Sequence, residues 1–114
     1  MCNENQLKRI LDEVSIKVQA LLGSRLHNII LFGSYARGDY NDESDIDIMV
    51  LADINSNELP KLRDSLADIS SDSCLENGIV VSILVKDKTL FEQRLPILPF
   101  YQNVINDGVQ VYAQ

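Results

Sequence analysis

Two elements of the sequence carry residue types that could grip the two ends of a metal-bound triphosphate. The first is Gly33-Ser34, which follows the apolar run NIILF. Glycine tolerates positive φ and lets a ligand approach the backbone. If SYAR opens a helical turn, its first N–H groups favour an anion such as phosphate. The Ser34 hydroxyl adds a donor, and Arg37, one turn on, could add a bidentate contact. The second element is Asp45 and Asp47; ten residues separate Ser34 from Asp45. Carboxylates at i and i+2 of a strand share a face, about two rises of ~3.3 Å apart. They can reach one hard cation or two neighbouring ones. Each feature also has a plainer reading, a simple turn and a solvated strand face. Against the latter, Asp is a poor strand former. Here it occurs twice in a segment whose other face, Ile46, Ile48 and Val50, is apolar.

These residues need a scaffold, and the periodicities outline one. Leu7, Ile10, Leu11, Val14, Val18 and Leu21 recur at helical steps, so residues 5–22 read as an amphipathic helix ending at Gly23. NIILF (28–32) fits a strand buried on both faces, and DIDIMV (45–50) a strand with a dry and an acidic face. NSNELPKLRDSLADIS reads as a helix over 55–70, and IVVSILV (79–85) as a strand interrupted by Ser82. DKTLFEQRL is a short helix stopped by Pro96, PFYQNVINDG a helix ending at Gly108, and VQVYA a closing strand. The expected architecture is α/β (α+β): one domain over 1–114, a small mixed sheet with helices packed on one face and the other face left for function.

Composition narrows the classes. A chain of 114 residues with 46% hydrophobic and 24% charged residues suits one soluble core. No apolar run approaches the roughly 20 residues that span a bilayer. The polar start MCNENQLKRILDEV does not read as a signal peptide, so a cytoplasmic location is expected. The net charge of −7, from 10 basic and 17 acidic residues, argues against extended nucleic-acid binding. It leaves room for one nucleotide bound through a cation. Cys2 and Cys74 read as free thiols, and the lone His27 gives little material for a zinc site or a histidine triad. Tyr35 and Tyr40 suit loop packing better than base stacking. Phe100, Tyr101, Val104 and Tyr112 suit core, and Asp39, Asp42 and Glu43 a wet loop. Lys86 and Lys88 could counter the charge of the acid pair.

Together, GSYARGDYNDESDID resembles the Gly-Ser, spacer, Asp-X-Asp signature of the nucleotidyltransferase superfamily related to DNA polymerase β. More narrowly, with the tail LPFYQNVINDGVQVYA, the chain is similar to the minimal nucleotidyltransferases, antitoxin-type proteins encoded beside HEPN-domain toxins. The resemblance implies that Gly33 and Ser34 hold the β and γ phosphates of ATP, with Arg37 as a further candidate. It implies that Asp45 and Asp47 bind Mg²⁺, at a site that could take two ions, and carry catalysis. A substrate hydroxyl would then attack the α-phosphate and pyrophosphate would leave.

One part of the family pattern is missing. Active members usually add a third carboxylate from a later strand. The positions available here are Val80, Ser82 and Leu84, or Ile79, Val81 and Ile83, with Glu76 just before and Asp87 just after. Two functions follow from the resemblance. One is an Mg²⁺-dependent adenylyltransferase that moves AMP from ATP to a tyrosine hydroxyl of a partner HEPN-type toxin. The alternative is a catalytically weakened binding module that neutralises its partner by contact. An antibiotic-modifying enzyme would need an acceptor domain for which this chain has no room.

Overall fold

A computed structural model describes residues 3–114; Cys2 lies outside the described residues. The chain runs through α1 (Glu4–Leu22), a single 3₁₀ turn (Gly23–Arg25), β1 (Leu26–Phe32), α2 (Ser34–Arg37) and β2 (Ile46–Ala52). It continues through α3 (Leu59–Asn77), β3 (Val81–Asp87), α4 (Lys88–Arg94), α5 (Pro99–Asp107) and β4 (Val109–Ala113). The four strands form one sheet in the order β3-β2-β1-β4. β1 pairs antiparallel with both β2 and β4, whereas β2 and β3 run parallel. A parallel pair needs a long crossover, and α3 supplies it.

Helix α1 starts where Asn3 accepts a 2.8 Å bond from the Gln6 amide, satisfying one of the first-turn donors. Its Ile10, Val14, Val18 and Leu22 are buried, as the three-and-four spacing requires. They pack with Leu62 and Leu66 of α3 on Leu26, Ile29, Leu31, Ile46, Ile48 and Val50 of the sheet. That is one sheet face.

The other face is not bare. Ile30, Met49 and Leu51 point there and are buried under Phe91, Tyr101 and Val104 of α4 and α5. The mixed sheet is as expected, but helices cover part of both faces. The reason is the near-continuous apolar run of β1 and β2, which leaves no wet side along most of their length. On the same face Asp47 is only partly buried and Leu84 of β3 is exposed. Phe91 stacks on Tyr101 with ring centroids 4.5 Å apart, anchoring α4 to α5. Among the described residues no helix is long and apolar enough to cross a membrane.

Candidate active site

The link between β1 and β2 is a long hairpin connection, and the Gly-Ser and Asp-X-Asp elements are its two ends. Phe32 pairs with Asp47 in the antiparallel register. Gly33, the next residue, therefore emerges beside the Asp47 side chain. Gly33 has φ 76° and ψ −157°, a region in which only glycine sits without strain. A Cβ placed on it would collide with the Asp47 carboxylate. The ten-residue spacer is thus the loop that lets one hairpin mouth carry both elements.

The loop is held in shape by its own contacts. The Gly33 carbonyl accepts from the Ala36 and Arg37 amides, each at 3.1 Å, which forms the single turn α2. Tyr35 is buried in the α1 side of the core and stacks on Tyr40 at 4.3 Å, so the two tyrosines pack the loop as expected. Asn41 and Ser44 close a turn through bonds of 2.9 and 3.1 Å. Asp39, Asp42 and Glu43 are exposed.

The electrostatics follow from the packing. Burial pushes the Asp47 carboxyl above the usual carboxylate value, and the neighbouring charge of Asp45 pushes the same way. The Arg37 guanidinium opposes both, so it lies close enough to act on Asp47. Arg37 also donates to Asp39 at 3.2 Å. Gly33 and Arg37 line an open cleft of about 170 Å³ between the end of β1 and α5. Its far wall is Phe100, Asn103 and Asp107, with Phe100 edge-on to Phe32 at 5.7 Å. Phe100, expected in the core, is exposed here. The signal for this wall was the spacing of 100, 103 and 107, one face of one helix.

The parallel register of β2 and β3 shows which β3 residue stands beside Asp47. Ser82 pairs with Asp47, so the strand position beside the carboxylate is a hydroxyl. Glu76 lies exposed near the end of α3, whose packing face is the opposite side of the sheet. Asp87 caps α4 instead: its two oxygens accept from Ile54 and Leu90 amides at 2.9 and 3.2 Å. Among the described residues no group of three His, Cys, Asp or Glu side chains could hold a metal ion. Lys86 and Lys88 do not counter the acid pair. Lys86 pairs with Leu51, four residues along β2 from Asp47, and Lys88 bonds Asn28 at 2.6 Å. His27 sits at the start of β1, 2.9 Å from Asp53.

Asp47 lies on β2, whereas Asp45, expected within that strand, is an exposed loop residue just before it. A hairpin mouth that sets a glycine turn against an acid pair at the start of a strand, on a small mixed sheet, is the architecture of a nucleotidyl-transfer domain. A model of the nucleotidyltransferase domain family matches residues 7–109. A protein of Methanocaldococcus jannaschii, provisionally named a protein adenylyltransferase, is 33% identical over 112 residues, covering 98% of this chain and all of that one. Among solved structures, a chain of a toxin-antitoxin crystallised with AMP-PNP superposes with a TM-score of 0.56 at 23% identity, over 89% of this chain and 72% of that one. A chain of the toxin-antitoxin pair MntA-HpeT has a TM-score of 0.56 at 21% identity, over 98% and 74%. The chain belongs to the nucleotidyltransferase domain family.

Proposed function

We propose that this protein transfers AMP from Mg²⁺-ATP to a hydroxyl of a partner protein, a tyrosine of a HEPN-type toxin, and so acts as its antitoxin. The observation that supports the reading is the closeness of Gly33 to the Asp47 carboxylate, with which a Cβ at Gly33 would collide. The name of the Methanocaldococcus relative and the toxin-antitoxin neighbours support the same direction.

Each residue then has a task. The Ser34 hydroxyl and the Gly33 turn receive the terminal phosphates, and Arg37 adds charge beside them. Asp45 and Asp47 are hard oxygen donors, repel each other and have no soft ligand beside them. They fit Mg²⁺, which is commonly held by one or two carboxylates together with substrate phosphates. When bound, the cation supplies charge neutralisation at the phosphate oxygens. The acceptor oxygen forms a bond to the α-phosphorus, the bond from that phosphorus to the bridging oxygen breaks, and pyrophosphate leaves. With Ser82 beside Asp47, the acceptor's proton passes to solvent or to a group on the partner.

Purified protein with Mg²⁺, radiolabelled ATP and the product of the adjacent gene should yield a labelled partner. Asp45→Asn should remove the label. No label with any divalent cation would defeat the proposal.

The Ser82 position also favours a second reading, a binding module that neutralises by contact. Under it, Asp45→Asn and Asp47→Asn proteins still bind the partner and still suppress its toxicity. Release of the toxin by either variant rules it out.

A further inference from the structure

A second cleft lies at the other end of β2 and β3. It holds about 210 Å³ and is bordered by Arg63 of α3, Lys86 of β3 and Arg94 of α4. Three basic residues from three elements line it, in a chain with a net charge of −7. Arg25, Arg37 and Lys88 each have a carboxylate within 3.6 Å. Among the described residues, Arg63, Lys86 and Arg94 have none. The one acid lining the cleft is Asp87, and both its oxygens are already engaged by backbone amides. The cleft therefore carries a surplus of two positive charges. Its remaining wall is largely apolar, with Leu59, Leu90 and Phe91 facing the cavity.

We infer that this cleft binds a small phosphate monoester, a dianion carrying an apolar or aromatic group. The charge surplus matches a dianion better than a monocarboxylate. Two guanidinium groups offer the forked donors that phosphate oxygens accept. The apolar wall would cover the organic part, the usual division of labour in a ligand cleft. The site stands apart from the acid pair: Asp47 and Leu51, the partner of Lys86, are four strand residues or roughly 13 Å apart. It does not depend on the proposed transfer activity.

The test uses the full chain in EDTA at low salt, so that metal-dependent nucleotide binding is silent. Phenyl phosphate, inorganic phosphate and benzoate are titrated while backbone amide shifts are followed by NMR. Phenyl phosphate is expected to move the amides of residues 84–94 and leave Ser34 still. Arg63→Gln and Arg94→Gln, both on exposed side chains, should each weaken it about tenfold or more, the scale of one charge-assisted bond. Lys86→Gln should do likewise. Benzoate and inorganic phosphate should both bind more weakly. The inference is overturned if millimolar phenyl phosphate moves nothing in 84–94, if the shifts centre on Gly33–Arg37, or if charge removal leaves the affinity unchanged. Equal binding of benzoate or of inorganic phosphate would equally overturn the ligand class.

Discussion

Gly33→Ala tests the link between the hairpin mouth and the acid pair more sharply than removing a carboxylate does. Two costs are separable. Gly33 has φ 76° and ψ −157°, a conformation that costs a residue with a Cβ roughly 1–3 kcal/mol. The new methyl would also meet the Asp47 carboxylate, which must swing away. In an Asp47→Ala background that second cost disappears, because the Asp47 Cβ stands an ordinary 3.4 Å from the added atom. Gly33→Ala should therefore lower Tm by about 8–16 °C in the wild type, from about 2–4 kcal/mol at about 4 °C per kcal/mol for a domain of this size. In the Asp47→Ala protein the loss should be smaller by about 1 kcal/mol, a coupling within the range for side chains in contact. Thermal unfolding by circular dichroism on the four proteins gives the cycle. In the transfer assay, Gly33→Ala alone should cost on the order of 100-fold, since it displaces a charged group by about an ångström. Equal Tm losses in the two backgrounds would refute the claim that the glycine is there for the carboxylate.

Other outcomes follow from the same geometry. Asp47 has its folded-state pKa raised, so its charge opposes folding at neutral pH. Asp47→Asn without metal should be more stable than wild type at pH 7, the gain fading as pH falls through the raised value and vanishing below the usual 3.8; equal stability across a pH series of urea melts would contradict this. Mg²⁺ should reverse the sign by stabilising the wild type but not Asp47→Asn, seen as a Tm rise in wild type alone. Ser82→Asp places an acid in register with Asp47 and should raise partner labelling about tenfold or more, if proton acceptance limits the rate; unchanged initial rates would show that it does not. Phe91→Ala empties the layer under α4 and α5 and should cost about 3–5 kcal/mol by denaturant melts.

Much of this was legible in the sequence, for identifiable reasons. The apolar spacing of α1, the β-rich runs and the Gly-Ser and Asp-X-Asp elements are local patterns, and the order of elements follows from them. Helix α3 begins at Leu59 and ends at Asn77, later at both ends than the expected 55–70. Its continuation, SDSCLEN, is rich in residues that favour caps and turns, yet no glycine or proline interrupts it before Gly78. Within this continuation Ser73 is buried. The expectation of one bare sheet face was overturned: Met49 and Leu51, on the same side of β2 as Asp47, are buried under α4 and α5. Register was not legible. Strands β2 and β3 are joined by a long helical connection, so nothing local says that Ser82, rather than a neighbour, stands beside Asp47. The α5 wall of the cleft was hidden for the same reason, since its distance from Gly33 along the chain is long.

The stacked Tyr35 and Tyr40 rings have a consequence for how an incoming nucleotide would be met. Their stack, with the Asn41–Ser44 turn, tethers the loop to the α1 side of the core before any ligand arrives. Capture would then require little ordering of the chain, and the entropy lost would belong mainly to the nucleotide and its ion. Cutting the tether, as in Tyr40→Ala, would shift that cost onto the polypeptide, and calorimetry would register it as a less favourable binding entropy with the same phosphate contacts.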